Sequence, residues 1–234
     1  MVRPDVGDAP SPDPWSLASQ ELRADGSPLS VIARLFCFGV PVERRLVASA
    51  FGAISLSDLE DLGLAEIADA LVRPLCMIRP ANGLLVTSDV PSSHPEIVLG
   101  AVPASETLAR LTIRRPASRA FDLGTGCGVQ ALLLAQHASE VTAVDINTRA
   151  LAFATFNAAL NGLNNVDVRE GSWFGPVEAE RFDTIDLKTS EIHFLKLRNN
   201  GADLFLKNGS SFLTANVEVS TDGVAFNYDE GSSD

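Results

Sequence analysis

One stretch of the chain, FDLGTGCGVQALLLAQ at residues 121–136, restricts the possible fold more than any other. A short apolar strand runs into three alternating glycines and then into an apolar helix. The chain continues with the strand VTAVDI, the helix TRALAFATFNAALNGL and the strand VDVRE. Strands that alternate with helices at this spacing predict a parallel sheet with crossover helices. The expected fold class is therefore α/β.

The glycine loop at residues 124–128 follows the first of these strands and opens the next helix. Parallel sheets bind their ligands at the carboxyl ends of the strands. Glycine permits a sharp turn and a close approach of a ligand to the backbone, and the following helix directs free N–H groups at that ligand. Asp145 ends the next strand, where a carboxylate accepts hydrogen bonds from ribose hydroxyls. The pattern predicts a cofactor that contains a nucleoside.

The loop reads D-L-G-T-G-C-G and resembles the first motif of class I S-adenosylmethionine-dependent methyltransferases. VDINTRALAFATFNAALNGL and VREGSWFGPVEAERFDTI resemble the second motif and the third-strand turn of the HemK-like, small-domain branch of that family. The resemblance covers residues 118–185. It implies a Rossmann-like methyltransferase domain, complete or incomplete, with S-adenosyl-L-methionine as the cofactor and no metal.

The resemblance also implies which residues contact the cofactor. The backbone of the loop would lie against the methionine part and the ribose, Asp122 would help to hold the amino group, and Asp145 would bind the ribose diol. Ser172 and Trp173 would border the adenine. The complete set is Asp122, Gly124, Thr125, Gly126, Gly128, Asp145, Ile146, Ser172 and Trp173.

Several of these positions have structural alternatives. Asp122 is either a cofactor ligand or a brace for the loop, and Trp173 is either an adenine neighbour or an ordinary core aromatic. Asn147 is either a ligand contact or the N-cap of the following helix. Cys127 lies inside the loop, where we expect it to pack rather than to act as a nucleophile.

The catalytic motif of the resembled family is missing from this sequence. In that family the segment RFD-x-I leads into a fourth strand and then into Asn-Pro-Pro-Tyr or Asn-Pro-Pro-Phe, which holds the target nitrogen for in-line attack. Here Ile185 is followed by DLKTSEIHFLKLRNNGADLFLK, and Asn-Pro-Pro-aromatic occurs nowhere in the chain. The catalytic residues are therefore unknown from the sequence.

Three functions remain open. The leading interpretation is an N-methyltransferase for an RNA base or a protein glutamine, active or inactive in this form. The alternative is a non-catalytic S-adenosylmethionine-binding protein, or a truncated or chimeric relative of the methyltransferases. A nucleotide-binding oxidoreductase is disfavoured because the loop lacks the G-x-G-x-x-G spacing of dinucleotide sites.

The composition changes near residue 186. Residues 1–186 contain 14 Arg and no Lys, whereas residues 187–234 contain one Arg and three Lys. The later segment predicts a helix at TSEIHFLKLRNNG and three strands that turn at KNGS and TDGV, because Asn-Gly and Asp-Gly favour hairpins. It is either a foreign segment, joined for example by a frameshift or altered splicing, or a divergent end that supplies the missing strands of the sheet.

The remaining organisation follows from local signals. Residues 15–72 predict helices, and the segments around RPANG predict a β-hairpin, so the region weakly resembles a winged-helix domain. The predicted divisions are a disordered leader (1–14), a helical domain with a hairpin (15–90), a linker helix (91–118), a cofactor-binding core (119–186) and an atypical strand-rich segment (187–234).

Charge limits the possible partners. The net charge is −12, which opposes attraction to bulk nucleic acid or anionic membranes, so an RNA substrate would need a local basic patch. The densest basic cluster is either a solvated helix end or an edge that contacts phosphate; its members are Arg110, Arg114, Arg115 and Arg119. The oligomeric state is open.

Three cysteines in apolar runs, Cys37, Cys76 and Cys127, predict free thiols in a reducing compartment. The N-terminus lacks the apolar core of a signal peptide, and the sequence has no run long enough to span a membrane. A cytoplasmic location is the expectation.

Overall fold

The computed structural model describes residues 22, 25–112, 116–178, 180–187, 192–198, 201–208, 211–220 and 223–232. The chain forms two compact units, residues 1–78 and residues 79–234. The predicted leader over residues 1–14 lies outside the described residues. None of the helices in the described part of the chain combines the length and the hydropathy that spanning a bilayer requires.

The first unit is a small α+β domain. Its elements are α1 (Pro28–Ile32, continued by a π-helical turn at Ala33–Cys37), β1 (Val42–Glu43), α2 (Arg44–Phe51), α3 (Leu56–Asp61), β2 (Ala65–Ala68) and β3 (Leu71–Pro74). Ser27 caps α1 and Pro28 occupies its first turn. Ser55 and Asp58 form a capping box at α3. The core between these helices and the sheet is apolar.

The prediction of helices as far as residue 72 is wrong for its last part. Residues 65–74 form an antiparallel hairpin, in which β3 lies between β1 and β2. Asp69 adopts a left-handed φ of 52°, which breaks any helix at this point and suits a tight turn. Val72 is completely buried and the adjacent Arg73 is exposed, the alternation of a half-buried strand.

The hairpin predicted around RPANG is confirmed as β4 (Cys76–Ala81) and β5 (Leu84–Asp89). Asn82 and Gly83 have positive φ at its turn. The two units divide inside β4, after Ile78, so β5 belongs to the second unit and not to a domain over residues 15–90. The reason is that side chains of the second unit hold the backbone of β5, as described below.

The second unit contains the predicted parallel sheet. Its further elements are α4 (Pro103–Leu111), β6 (Ala117–Leu123), α5 (Val129–Ala135), β7 (Ala138–Asp145), α6 (Thr148–Leu160), β8 (Val166–Glu170), a 3₁₀ turn (Gly175–Val177) and β9 (Thr184–Leu187). The strand order is β8-β7-β6-β9, and the three pairings are parallel. The α/β fold class is thus confirmed, and the carboxyl ends of four strands meet at one edge.

Apolar residues cover both faces of this sheet. Neighbouring residues of β6 point to opposite faces: Ala120 packs with Ala131 and Leu134 of α5, and Phe121 packs with Phe174 and Phe182 from the β8–β9 connection. The ring centroids of Phe121 and Phe182 lie 5.1 Å apart. The connection after β8 therefore serves as a packing layer for the sheet.

The segment after β9 forms a separate antiparallel sheet of β10 (Ile192–Arg198), β11 (Gly201–Asn208), β12 (Ser211–Ser220) and β13 (Gly223–Ser232). The helix predicted at TSEIHFLKLRNNG is wrong, because residues 192–198 pair with β11 as a strand. Within the described residues none of these strands joins the parallel sheet, in which β9 pairs with β6 alone. The expectation that this segment supplies the missing strands is therefore not met there.

The cysteines match the prediction of free thiols: Cys76 and Cys127 are buried and Cys37 is partly buried, and none forms a disulfide.

Candidate cofactor-binding site

The glycine loop turns sharply away from β6 and is tied to the end of β7. Gly124, Gly126 and Gly128 have φ values of 72°, 56° and 86°, a region that side chains disfavour. The backbone N–H groups of Gly124 and Thr125 donate to the carbonyl oxygen of Val144 at 2.9 and 3.0 Å. The glycines are thus required by the turn itself.

Asp122 holds the loop in place through side-chain hydrogen bonds. Its side chain is completely buried, and its Oδ2 accepts hydrogen bonds from the Thr125 hydroxyl at 2.6 Å and from the Ala131 N–H at 3.0 Å. These bonds join the loop to the first turn of α5. The bracing role is what the structure contains; contact between Asp122 and a cofactor amino group stays a prediction.

Asp145 lies half-buried at the end of β7 and holds the loop from the side. Its Oδ2 accepts the N–H of Gly126 at 2.9 Å and its Oδ1 accepts the N–H of Asn147 at 3.0 Å. A carboxylate offers about four acceptor positions. Two of them are used here, so the group retains acceptor capacity for a ligand while it fixes the loop.

Asn147 is the N-cap of α6. Its Oδ1 accepts the N–H groups of Arg149 at 2.9 Å and Ala150 at 3.4 Å. Its Nδ2 donates to the carbonyl oxygen of Glu96 at 3.2 Å. Asn147 therefore brings the segment after β5 to the same edge of the sheet as Asp145.

An ion pair holds the end of β5 against α6. Arg149 pairs with Asp89, its Nε lying 3.0 Å from both carboxylate oxygens. Burial raises the pKa of Asp89, but hydrogen bonds from Arg149 and from the Val98 N–H outweigh it, so the pKa of Asp89 lies below its ordinary value. Asp89 is consequently an anion that fixes the end of β5 to Arg149 on α6.

Apolar groups stand at the same edge. Ile146, directly after Asp145, is 61% exposed, which leaves an apolar surface beside the carboxylate. Trp173 is half-buried, has a φ of 51° and packs against the cluster around Phe121, and Ser172 is exposed. The Gly171 N–H donates to the Asp145 carbonyl oxygen at 3.1 Å, which joins this turn to the end of β7.

Two glycines of the loop serve different purposes. A Cβ atom on Gly126 would meet no heavy atom within 4 Å, so the loop borders open space there. A Cβ atom on Gly128 would lie 3.0 Å from the Cα and the Cβ of Ala154. Gly126 thus leaves room for a ligand, and Gly128 allows α6 to approach the start of α5.

One residue of the site escaped the sequence analysis. Asn157 on α6 is completely buried, and its Nδ2 donates to the carbonyl oxygens of Cys127 at 2.8 Å and Thr87 at 2.9 Å. The available signal was an asparagine inside the apolar helix TRALAFATFNAAL. Cys127 itself is buried in the core between sheet and helices, as expected of a packing residue.

The basic cluster is only partly described. Arg119 pairs with Glu180 and Glu140 and lies 4.9 Å from the centroid of the Phe182 ring. The charge of Arg119 is therefore paired with these two carboxylates. Arg110 is exposed, and Arg114 and Arg115 lie outside the described residues. The described residues contain no group of His, Cys, Asp and Glu that could hold a metal ion.

Comparisons with known proteins agree with this geometry. A family model described as "Methyltransferase domain" matches residues 115–222. Residues 115–222 are thus similar to methyltransferase domains, and we refer to this part of the chain as the methyltransferase domain. A second model, "Domain of unknown function (DUF7059)", matches residues 8–75, ahead of the methyltransferase domain.

Curated relatives include release factor glutamine methyltransferases. The protein of that name from Xylella fastidiosa is 40% identical over 87 residues, which cover 35% of this chain and 32% of the relative. The one from Salmonella typhimurium is 32% identical over 150 residues, covering 60% of this chain and 52% of the relative. The matches therefore span about a third to a half of the length of these relatives.

The residues present fit S-adenosylmethionine, the cofactor that the resemblance to class I methyltransferases implies. The open space at Gly126 suits the close approach of a ligand, Asp145 supplies acceptors for a diol, and Ile146 supplies an apolar surface for a planar base. The residues that follow β9, where the family places its catalytic motif, include 188–191, which lie outside the described residues.

Proposed function

We propose that the methyltransferase domain binds S-adenosylmethionine at the carboxyl ends of β6, β7 and β8 and serves methylation of a protein glutamine amide. The observation that carries the proposal is the pair formed by Asp145 and the N–H of Gly126, which fixes the loop and leaves carboxylate acceptors beside open space. The names of the curated relatives favour glutamine as the acceptor. The net charge of −12 disfavours RNA.

The bound cofactor supplies an electrophilic methyl group, and the protein supplies position. We propose that Asp145 accepts hydrogen bonds from the ribose hydroxyls and that the backbone at Gly124 and Gly126 lies against the methionine part. Ile146 and Trp173 would flank the adenine, with Ser172 at its rim. Positioning of this kind contributes to methyl transfer by bringing the reacting atoms into line.

The second candidate function is cofactor binding without methyl transfer. One observation favours it: the sequence contains no Asn-Pro-Pro-aromatic motif to orient an amide nitrogen after β9. A domain without that group keeps the Asp145 site and loses the acceptor site.

One pair of measurements separates these functions. Calorimetric titration with S-adenosylhomocysteine tests binding, and transfer of a radiolabelled methyl group to protein and RNA fractions tests turnover. Label in protein supports the proposed function. Label in RNA would mean that the methyl acceptor is RNA and not a protein glutamine. Binding without label supports the second candidate, and no binding to a folded chain rejects both.

A further inference from the structure

Two asparagines one turn apart hold the edge of β5, Asn157 on α6 and Asn161 at its C-cap; we refer to them as the asparagine clamp. Asn161 accepts the N–H of Leu85 at 2.9 Å and donates to its carbonyl oxygen at 2.7 Å. Asn157 makes the same pair of bonds with Thr87, at 2.8 and 2.9 Å. Each side-chain amide therefore pairs with the backbone of one strand residue as a neighbouring strand would.

The spacing of the clamp follows from the geometry of the two elements. Four residues of an α-helix rise about 6 Å, and two residues of a strand span about 6.8 Å. Asparagines at positions i and i+4 of a helix thus match strand residues j and j+2. The clamp satisfies the edge of β5, an edge that would otherwise present unpaired backbone groups.

Asn157 differs from Asn161 because it also reaches the glycine loop. Its Nδ2 divides its two hydrogens between the carbonyl oxygens of Thr87 and Cys127, and its Oδ1 also accepts the Thr87 hydroxyl at 2.5 Å. The Cys127 carbonyl belongs to the peptide that enters Gly128, the N-cap of α5. One buried amide therefore joins β5, α6 and the loop.

We propose that Asn157 is a positioning residue for the glycine loop, one that acts through the Cys127–Gly128 peptide rather than by contact with the cofactor. The inference rests on the proposed function. A buried carbonyl keeps its orientation as long as a donor is fixed in front of it. Asn157 makes three further bonds to Thr87, which fix the orientation of the amide that faces the Cys127 carbonyl oxygen.

The test compares three variants of the full chain, Asn157→Ala, Asn161→Ala and Thr87→Val. Asn161→Ala removes clamp bonds and leaves the loop bond intact. Thr87→Val removes a buried hydroxyl bond to Asn157 and also leaves the loop bond intact. The two readouts are amide hydrogen exchange of residues 124–132 in the ligand-free chain and S-adenosylhomocysteine affinity, both measured where every variant is folded.

We expect Asn157→Ala alone to speed exchange in the loop and to weaken S-adenosylhomocysteine binding about tenfold, the effect of one buried hydrogen bond. Asn161→Ala and Thr87→Val should lower the unfolding temperature and leave affinity within about twofold. Wild-type exchange and affinity in Asn157→Ala, or equal losses in Asn157→Ala and Asn161→Ala, would overturn the proposal.

The outcomes separate this proposal from the proposed function. If the wild-type chain binds no S-adenosylhomocysteine, the proposed function fails, and the exchange rates still test the role of Asn157. If Asn157→Ala does not fold, Asn157→Ser takes its place in the same comparison.

Discussion

At the scale of single residues, Asp145 carries two roles that a mutation must separate. It fixes the glycine loop through Gly126, and we propose that it binds a ribose diol with its remaining acceptors. The sequence predicts the second role because an acidic residue ends the next strand at the expected distance. It does not predict the first, because a bond between residues 19 apart depends on how the loop closes.

We expect Asp145→Ala to weaken S-adenosylhomocysteine binding by about 1.5–3 kcal/mol, the range for hydrogen bonds to a charged group. Asp145→Asn keeps one oxygen that can accept the Gly126 N–H, so it should retain the loop and still lose affinity. Glu140→Gln is the matched control, since Glu140 is exposed near the start of β7, at the opposite end of the strand from Asp145. Calorimetry on the three variants decides; unchanged affinity in a folded Asp145→Ala would reject the assignment.

Substitutions at Gly126 test whether the cofactor occupies the open space beside the glycine loop. Gly126→Ala and Gly126→Val place a methyl or larger group where no protein atom lies within 4 Å, so binding should fall by more than about tenfold while the sheet persists. Gly162→Ala is the control for backbone strain, because Gly162 also has positive φ and open surroundings. Both alanine variants should lose about 1–2 kcal/mol of stability. Retained binding in folded Gly126→Val would show that the loop does not face the cofactor.

At the scale of elements, sequence patterns predict the parts whose periodicity is unambiguous. β6, β7, β8, α5 and α6 are present as expected, because apolar strands alternate with apolar helices. Two helices were predicted where strands occur: residues 65–74 and residues 192–198 pair with other strands, and strand pairing is not visible in a short apolar run. The clamp residue Asn157 was missed for the same reason, since its partner Thr87 lies 70 residues earlier.

One carboxylate in the connection between β8 and β9, that of Glu180, binds two arginines of the sheet. Glu180 accepts hydrogen bonds from Arg169, at 2.5 Å, and from Arg119, so it joins this connection to two strands of the sheet. Burial raises the pKa of Glu180, but the bonds from Arg169 and Arg119 outweigh it, and the pKa lies below its ordinary value of 4.5. The lowered pKa means that the ionised form stabilises the fold.

The sign of the pH dependence follows. A carboxyl group with a lowered folded-state pKa stabilises above its unfolded pKa and loses that contribution as pH falls through the folded value. We expect Glu180→Gln to lower the free energy of unfolding by about 1 kcal/mol near neutral pH. This difference from wild type should shrink as the pH falls below 4.5. Urea unfolding across that range measures it, with the exposed Glu178→Gln as control. A difference that persists unchanged into acid would show that the charge of Glu180 does not matter.

At the scale of the whole molecule, the cofactor site and the acceptor site of the second unit differ in how far the sequence predicts them. The glycine loop and Asp145 belong to one sequence pattern, which predicts both the fold and the class of cofactor. The acceptor site has no such pattern, since the sequence after Ile185 lacks the motif that orients a target nitrogen. In the described residues β10–β13 form a sheet of their own, and the parallel sheet ends at β9.

The second candidate function, cofactor binding without catalysis, makes its own prediction at this scale. An amide nitrogen is a weak nucleophile, and its attack on the methyl group depends on groups that align its lone pair; the 234-residue chain carries no recognised group of that kind after β9. If the second candidate function holds, the unmodified chain will bind S-adenosylhomocysteine and transfer no methyl group to protein or RNA fractions. We also expect a marginally stable fold, because β9 is an edge strand in the described part of the chain. A chimera that joins residues 1–185 to the corresponding C-terminal part of the Xylella fastidiosa release factor glutamine methyltransferase should transfer methyl groups to protein. Asp145→Ala in that chimera is the control and should abolish transfer. Robust turnover by the unmodified chain would contradict the second candidate function, support the proposed function, and direct the search for a substitute motif to residues 186–190.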